Sequence, residues 1–359
     1  MGSIKKPRSC ESEAIPMSRR PMTSVLFLAL IALLAVGLAA SFAHYALDTA
    51  DGSAPTLAKD PLSFVSYLQD DKHHAALIAY SPLGFDPTHQ SGYSYPTVDS
   101  IRANLHVLRA GFDGLVLYGY DVRLTPSIVA EAIAEEYQAI LLGIWNPRSE
   151  EELDGSASLV KTYSRNIALA VCLGNEGITF NRYALTDLIL AAKHLATALG
   201  PHHHVPVCTS EPLGQYAQPA LRTFGDFLAP NIHPVFDQPG LTPEGAAHWT
   251  REQALRLAQR TQKPILVKET GFPHAGKAIY TPDSQKRFWQ TYRMGTHFVR
   301  LSDHPPIWIS YVAAFEAFDQ PWKAQQSLLP IEQFWGLLDQ TRTPSSQAFS
   351  LWLKPIEDP

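Results

Sequence analysis

The chain has 359 residues, of which 45% are hydrophobic and 18% are charged, a composition that excludes a disordered chain and fits one large domain or two small ones. Its net charge is −5, and because the first twenty residues hold five bases against two acids, the rest of the chain sums to −8. An acidic body argues against binding to a phosphate backbone, so we predict no nucleic-acid partner.

The N-terminal part of the chain contains an uncharged, apolar segment at residues 24–47. About nineteen apolar residues suffice for a helix that crosses a bilayer, and the preceding bases place the N-terminus in the cytoplasm. We therefore predict a basic cytoplasmic N-terminus at residues 1–23, a transmembrane signal anchor at 24–47, and a single-pass protein of the inner membrane with a periplasmic domain. The alternative is a secreted protein with a cleaved signal peptide, because the sequence SFA ending at Ala43 resembles a cleavage site.

Residues 48–72 are polar with little periodicity, and we predict that they form a linker to a folded domain at residues 73–359. In that domain, short apolar runs alternate with amphipathic helical stretches. The predicted strands are residues 76–81, 114–118, 139–144, 167–174, 205–210, 227–232, 265–268 and 307–312, and predicted helices include residues 98–110, 126–138, 182–199 and 248–261.

Buried strands that alternate with helices indicate a parallel sheet covered on both faces. The eight strands begin about every 33 residues between residues 76 and 307, a regular repeat that fits a (β/α)8 TIM barrel better than an open doubly wound sheet. No glycine-rich phosphate loop follows an early strand, which weakens a nucleotide-binding function. The predicted fold class is therefore α/β, a TIM barrel preceded by a transmembrane segment, and we predict no cofactor.

Cysteine and histidine residues give no metal-binding pattern. Cys172 and Cys208 form a disulfide if their strands are adjacent, or else they are two small buried thiols. Neither a CxxC motif nor a zinc spacing occurs, and the histidines at 202–204 lie in a proline-rich segment that is typical of a solvated loop. We therefore predict no metal site.

In a (β/α)8 barrel, catalytic groups lie at the C-terminal ends of the strands. Aromatic rings and carboxylates dominate these positions in this sequence. Aromatic rings stack on sugar faces, and paired carboxylic acids cleave acetal bonds, so this composition favours a site that acts on sugars. Glu176 follows the fourth predicted strand and Glu269 the seventh, 93 residues later, so the two acids project from opposite sides of the barrel mouth. A retaining glycosidase needs two carboxyl groups about 5 to 5.5 Å apart, and we predict this separation for the pair.

Six short motifs surround these two acids over roughly residues 75–352. They are YSP at 80–82, GNEG at 174–177, NIHP at 231–234, KETGFP at 268–273, FEAFDQPWK at 315–323 and WGL at 335–337. Together and in this order, they resemble glycoside hydrolase family 17, which contains β-1,3-glucanases and β-1,3-glucanosyltransferases with a (β/α)8 barrel and a retaining mechanism. The resemblance implies that Glu176 is the general acid/base and Glu269 the nucleophile.

The same resemblance implies a substrate-binding set around the two acids. Asn175 would bond to the sugar 2-hydroxyl, Tyr118 would orient the nucleophile, and Trp322 with Lys323 would form part of a sugar-binding wall. The full predicted set is Tyr80, Tyr118, Trp145, Asn175, Glu211, His233, Phe272, Glu316, Trp322 and Lys323.

Some of these residues have a structural alternative. Glu316 fits a structural carboxylate bonded to the backbone or to a lysine, Glu211 fits a supporting partner of the binding groups, and Tyr80 fits either role. Many family members have a tyrosine in place of His233 and a tryptophan in place of Phe272. We expect His233 to shift the pH profile and Phe272 to keep an aromatic platform, so these departures affect subsite preference.

Three functions follow from the sequence. The first is a retaining glycosidase that hydrolyses β-1,3-glucan, of the glucan 1,3-β-glucosidase type, with endo or exo action left open. The second is a transglycosylase on the same scaffold, in which a sugar hydroxyl replaces water as the acceptor. The third is a catalytically silent glycan-binding barrel, and the presence of both acids argues against it. In each case the predicted partner is a β-glucan.

Overall fold

A computed structural model of the protein describes residues 62–70, 75–87 and 94–354. Within these ranges, no helix combines the length and the apolar character needed to cross a bilayer. The predicted anchor at residues 24–47, the predicted N-terminus at 1–23 and most of the predicted linker lie outside the described residues.

Strands and helices alternate along the described chain, which confirms the predicted α/β architecture. Seven of the eight predicted strands coincide with observed strands, and all four predicted helices are present. The strands are β1 (Leu77–Ala79), β2 (Gly114–Val116), β3 (Ala139–Ile144), β4 (Ala168–Asn175), β5 (Val207–Ser210), β6 (Ile265–Leu266), β7 (Phe298–Asp303), β8 (Pro306–Ser310) and β9 (Ala313–Ala314). The helices are α1 (Phe64–Leu68), α2 (Val98–Arg109), α3 (Thr125–Ala134), α4 (Glu150–Tyr163), α5 (Leu185–Leu199), α6 (Pro219–Arg222), α7 (Pro234–Asp237), α8 (Pro243–Thr261), α9 (Pro282–Met294) and α10 (Pro321–Ser327), with 3-10 turns at Leu213–Ala217, Pro330–Gln333 and Phe349–Leu351.

Several helices begin where a hydroxyl side chain caps the first turn. Thr97, Ser149, Thr242 and Thr281 each accept a hydrogen bond from a backbone N–H of the helix that follows, at α2, α4, α8 and α9. These bonds satisfy donors that have no partner inside the helix. In α4, three glutamates in the first turn add a favourable interaction with the helix dipole.

The strands form a curled parallel sheet and a smaller second sheet. The first has six strands in the order β5-β4-β3-β2-β1-β9, and every neighbouring pair is parallel. In the second, β8 pairs in parallel with β6 and antiparallel with β7. Because β8 and β9 are consecutive in the chain, they carry the polypeptide directly from the second sheet to the edge of the first.

The strands differ from the sequence predictions at residues 227–232, at β7 and at the two-residue strand β9, which was not predicted. Residues 227–232 form no regular strand but make isolated parallel bridges, Leu228 to Ile265 and Asn231 to both Pro212 and Glu269, so they lie between β5 and β6. Pro230 within this segment has no N–H to donate, which interrupts a regular ladder. The edge strand β7 was not predicted, because its side chains are mostly exposed or half-buried and leave no apolar pattern.

The core divides into two layers because side chains alternate along each strand. One layer, the outer core, lies between the sheet and the helices; the other, the inner core, is enclosed by the curled sheet and includes Leu77, Val116, Leu141 and Leu266. Cys172 and Cys208 also belong to the inner core. They are directly opposed on β4 and β5 and are both free, so of the two predicted alternatives the structure has buried thiols.

Helix α1 closes the inner core at the end where the strands begin. Phe64 and Leu68 are fully buried there, and the Tyr67 hydroxyl donates a 2.6 Å hydrogen bond to Asp113, which precedes β2. Burial raises the pKa of Asp113, although the bond from Tyr67 opposes this rise. Residues 62–70 therefore belong to the folded domain, and the predicted linker boundary at residue 72 is too late. The polar character of residues 48–72 as a whole obscured the buried side chains of Phe64 and Leu68.

The Phe64→Ala substitution should lower the free energy of unfolding by about 3–5 kcal/mol, because it leaves a cavity in the inner core. Chemical denaturation followed by tryptophan fluorescence would measure this change. Leu62→Ala is the matched control, since Leu62 is 47% exposed and its truncation should cost less than about 0.5 kcal/mol. If the Phe64→Ala variant lost as little stability as the Leu62→Ala variant, α1 would not be part of the cooperative core.

Candidate active site

Strand β4 ends in a tight turn that directs Glu176 away from the strand. Gly174 has φ +78° and Glu176 has φ +55°, and a Cβ added to Gly174 would lie 2.1 Å from the Tyr183 hydroxyl. Only glycine fits at the first position. The Glu176 backbone N–H donates to Ser210 O at 2.7 Å, which fixes the turn against β5. A non-glycine residue held at positive φ is uncommon and often marks a functional site.

The Glu176 carboxyl group lies in an environment that favours its protonated form. Burial raises its pKa above the usual value, and the negative charge of Glu269 raises it further. A 2.9 Å hydrogen bond from Asn231 Nδ2 to Glu176 Oε1 partly opposes these effects. Glu176 can therefore hold a proton more readily than an exposed glutamate.

Glu269 lies in the opposite electrostatic environment. Its Oε1 accepts a 2.7 Å bond from Lys268 Nζ, and its Oε2 lies 3.2 Å from His233 Nε2. Burial alone would raise the pKa of Glu269, but the charge of Lys268 and the bond from His233 lower it to about 2. Glu269 is therefore held as a carboxylate.

A hydrogen-bond network joins the two acids. Lys268 Nζ also donates to Asn175 Oδ1 at 2.7 Å, and Asn231 Nδ2 lies 3.2 Å from the same oxygen while it bonds to Glu176. Asn175 therefore turns its oxygen towards two donors, and its Nδ2 makes no hydrogen bond with the described part of the chain. The network brings Glu176, Asn175 and Glu269 to one mouth of the sheet; their predicted carboxyl separation of about 5 Å stays a prediction.

His233 lies behind Glu269 in an aromatic setting. Its ring is 5.2 Å from those of Phe315 and Trp335, in edge-on contact with each. Burial alone lowers the pKa of His233, but the bond to Glu269 and that carboxylate's charge outweigh burial, and the pKa lies above its usual value. His233 contacts the Glu269 carboxylate directly, and its predicted contact with the substrate stays a prediction.

Two further predicted residues lie near the acids. The Tyr118 ring lies 4.6 Å from Lys268 Nζ, and burial followed by the charge of Glu269 raises the pKa of its phenol. Trp145 is half-buried at the end of β3, and the Arg182 guanidinium covers one face of its indole at 3.9 Å. Only the other face of Trp145 is left for a ligand.

Three residues of the predicted substrate-binding set are almost fully buried. Tyr80 is 2% exposed, and its hydroxyl accepts a 3.3 Å bond from Asn104 of α2; Phe272 is also 2% exposed and stacks on Phe288 of α9. Both rings pack into the outer core, which favours a structural role, and their contact with sugar stays a prediction.

Glu211 is the third, since it is fully buried and supports the loop after Glu176. Its carboxylate accepts bonds from the backbone N–H of Ile178 at 2.9 Å and of Thr179 at 3.1 Å, and from the Thr179 hydroxyl at 2.8 Å. These bonds occupy both carboxylate oxygens. These contacts fit the alternative of a supporting partner, and direct substrate binding by Glu211 stays a prediction.

Glu316 and Lys323 form a buried ion pair beside the site. Lys323 Nζ donates to Glu316 Oε2 at 2.6 Å and lies 4.5 Å from the Phe315 ring. Burial raises the pKa of Glu316 to about 7, although Lys323 opposes the shift. Glu316 is only 1% exposed, so the structural alternative fits it better than sugar contact. Trp322 is half-buried and donates its indole N–H to Gln320 at 2.9 Å. Its part in a sugar-binding wall stays a prediction.

Two central residues were missed at the sequence level. Asn231 begins the NIHP motif, and Lys268 begins KETGFP. For Lys268 a signal existed: Leu266 faces the inner core, so alternation along the strand also points residue 268 inward. A lysine on the inner side of a buried strand is rare enough to mark a site.

No three His, Cys, Asp or Glu side chains in the described ranges are grouped so that they could hold a metal ion. The arrangement pairs a carboxyl group of raised pKa, Glu176, with a carboxylate of lowered pKa, Glu269.

A sequence profile of the BtgE/BtgC glycoside hydrolase domain matches residues 78–336. Among curated proteins, the chain is 24% identical over 275 residues to the "probable glucan endo-1,3-beta-glucosidase btgC" of Aspergillus flavus, covering 69% of this chain and 39% of the relative. It is 26% identical over 270 residues to the "probable beta-glucosidase btgE" of Emericella nidulans, covering 71% of this chain and 46% of that protein. The chain thus spans less than half the length of either relative.

Solved structures show the same fold at low sequence identity. The glycoside hydrolase family 17 β-1,3-glucanosyltransferase from Rhizomucor miehei aligns with a TM-score of 0.60 and 19% identity, covering 76% of this chain and 95% of the neighbour. An endo-laminarinase from Formosa Hel1_33_131 aligns with a TM-score of 0.60 and 18% identity, covering 78% of this chain and 86% of the neighbour.

Proposed function

Because the chain belongs to the BtgE/BtgC glycoside hydrolase family, of the family 17 type, we propose that it is a retaining glycosidase acting on β-1,3-glucan. In the first half of the reaction, Glu269 attacks the anomeric carbon while Glu176 protonates the leaving glycosidic oxygen. In the second half, Glu176 takes a proton from water, and the water oxygen displaces Glu269 from the glycosyl ester.

The observation that carries this proposal is the opposite electrostatic setting of the two glutamates. Glu176 has a raised pKa, and Glu269 has a pKa lowered to about 2. Two neighbouring acids whose pKa values are pushed apart suit one proton donor and one ionised nucleophile. Asn175, whose Nδ2 points away from its two donors, is available to bond to the sugar 2-hydroxyl.

The names of similar proteins support the β-1,3-glucan as substrate class. The Aspergillus flavus relative is named for endo-1,3-β-glucosidase activity, and a Rhizomucor miehei neighbour was solved as a mutant in complex with laminaritriose. In this chain, Trp145, Trp322, Tyr118 and Lys323 would contact the sugar together with Asn175. Flat aromatic surfaces beside polar groups suit the alternating faces of a glucose unit.

The proposal includes a complete (β/α)8 barrel. Bridges at residues 228–231 connect β5 to β6, and the chain passes from β8 to β9 beside β1, which supports a closed ring. Its catalytic mouth would lie at the C-terminal ends of the strands, where Glu176 and Glu269 are found. Attachment of this barrel to a membrane through residues 24–47, or its secretion, stays a prediction.

The test is to incubate the purified full chain, in mild detergent because residues 24–47 are strongly apolar, with laminari-oligosaccharides and to resolve the products by size. Shorter products alone would support hydrolysis. Products longer than the substrate would support a glucanosyltransferase, the function named for the Rhizomucor miehei neighbour. If the chain binds glucan but leaves it intact, it is a glycan-binding barrel and the proposed activity is wrong.

The Asn231→Ala substitution should move the alkaline limb of the kcat/KM profile to higher pH by about 0.7 units, the equivalent of one ordinary hydrogen bond. Asn231 donates to the Glu176 carboxylate and so stabilises its ionised form. Without this bond the pKa of Glu176 rises, and the acid stays protonated to higher pH. Initial rates at low substrate concentration across a pH series would measure the shift. The exposed Asn166→Ala control should leave the limb in place, and a downward shift in Asn231→Ala would contradict this role.

A further inference from the structure

A lysine lies inside the apolar interior of the curled sheet, directly beside the proposed nucleophile. Leu266 belongs to the inner core and Val267 to the outer core, so Lys268 continues on the inner side of the strand. Its side chain is only 1% exposed. A buried ammonium group destabilises a protein unless its charge is balanced and its hydrogens are bonded.

The Lys268 ammonium group makes two hydrogen bonds and one contact with an aromatic ring. Nζ donates to Glu269 Oε1 and to Asn175 Oδ1, both at 2.7 Å, and lies 4.6 Å from the centre of the Tyr118 ring. One cation therefore holds the proposed nucleophile and orients the neighbouring amide. Because Asn175 Oδ1 faces Lys268, the Nδ2 group of the same amide is directed away from it.

The charge of Lys268 has opposite effects on the two halves of the reaction. In the resting enzyme it stabilises the Glu269 carboxylate, which makes this group a weaker nucleophile. In the glycosyl ester Glu269 carries no charge, so Lys268 loses its counterion. When Glu269 leaves in the second half, its negative charge returns beside the ammonium group, and the charge-assisted bond forms again.

Given the proposed glycosidase function, we propose that Lys268 is a positioning residue that accelerates the second half of the reaction by stabilising Glu269 as the leaving group. In this step the oxygen of water or of a sugar hydroxyl bonds to the anomeric carbon, and the bond from that carbon to the Glu269 oxygen breaks. The electron pair returns to the Glu269 carboxylate, and the acceptor's proton passes to Glu176. Lys268 keeps its own protons throughout.

The test uses Lys268→Met, which removes the charge, and Lys268→Gln, which removes the charge but retains an amide donor. With 2,4-dinitrophenyl β-laminaritrioside, release of the good leaving group is fast and the second half limits turnover. Both variants should lower kcat by about 10- to 100-fold, the worth of one charge-assisted hydrogen bond. KM should fall in parallel, so kcat/KM should stay within about fivefold of the wild-type value.

A second readout is the glycosyl-enzyme itself. Rapid quenching followed by intact mass measurement should detect the covalent intermediate on most molecules of each variant, with a burst of dinitrophenolate close to one per active site. Lys263→Met is the matched control, because Lys263 is a partly buried lysine that donates to Gly225 O, away from the two acids. Its kinetics should match the wild type.

The outcomes separate this role from structural damage and from failure of the proposed function. If Lys268→Met does not fold, as judged by circular dichroism, Lys268→Gln carries the test. A fall in kcat/KM as large as the fall in kcat, with no covalent intermediate, would overturn the role of Lys268 and leave the glycosidase function intact. A wild-type chain that releases no dinitrophenolate would overturn the glycosidase function, and the role of Lys268 with it.

Discussion

Glu269→Gln should lower kcat on laminari-oligosaccharides by about 10⁴-fold or more, the scale seen when a nucleophile is removed. Glutamine has nearly the same shape, but its amide cannot form the glycosyl ester. Product formation over hours, measured by chromatography of the released sugars, would establish the residual rate. Retained binding of the oligosaccharide, measured by calorimetry, would show that the loss lies in the chemical step.

The charge of Glu269 also balances Lys268 and His233, so the variant needs a stability check. Removing one partner of a buried ion pair destabilises a protein by about 3–5 kcal/mol, and the melting temperature of Glu269→Gln should fall accordingly. Glu252→Gln is the matched control, because Glu252 is exposed on α8 and pairs with Arg256 at the surface. A folded Glu269→Gln variant that keeps more than about a tenth of wild-type activity would rule out Glu269 as the nucleophile.

Glu176→Ala should lower kcat on laminari-oligosaccharides by about 10²- to 10⁴-fold, the contribution of a positioned general acid. The dinitrophenyl glycoside should be far less affected in the first half of the reaction, because its leaving group needs no proton. Turnover of that substrate should then stall at the glycosyl-enzyme, since water lacks its general base.

Azide gives a sharp test of the same role, because it is a nucleophile that needs no base. Added azide should restore turnover of the dinitrophenyl substrate by Glu176→Ala and yield a glycosyl azide of β configuration, identified by NMR. An α-configured azide would contradict the retaining mechanism. Glu252→Ala, with its exposed side chain, should show no response to azide. If rescue is absent from a folded Glu176→Ala variant, Glu176 is not the acid/base.

Much of the architecture could be predicted because the signal lies in the pattern of buried residues. Continuous apolar runs such as AILLGI gave β3 at its observed bounds, and the ends of two strands pointed to Glu176 and Glu269. Strand β7 was harder to predict, because an exposed edge strand has little apolar periodicity. The irregular pairing of residues 227–232 was also harder to predict, because a proline interrupts the ladder.

The roles of single side chains at strand ends were less predictable than their positions. Tyr80 and Phe272 lie in motifs near the site, yet both rings pack into the outer core, because a strand end offers one direction to the cleft and another to the helices. Glu211 is likewise at a strand end but bonds to backbone groups of the adjacent loop. Only the packed structure reveals which direction each side chain takes.

The position of helix α1 determines how this protein could be fixed to a solid support. Ser63 bridges to Leu169 near the beginning of β4, and Tyr67 bonds to Asp113 just before β2, so α1 lies at the opposite end of the strands from Glu176 and Glu269. A bead or sensor surface coupled through residues that precede α1 would therefore face away from the two acids. In this orientation the two acids point into solution. The immobilised protein should therefore still reach insoluble glucan particles, which are too large to enter the space between the protein and the support.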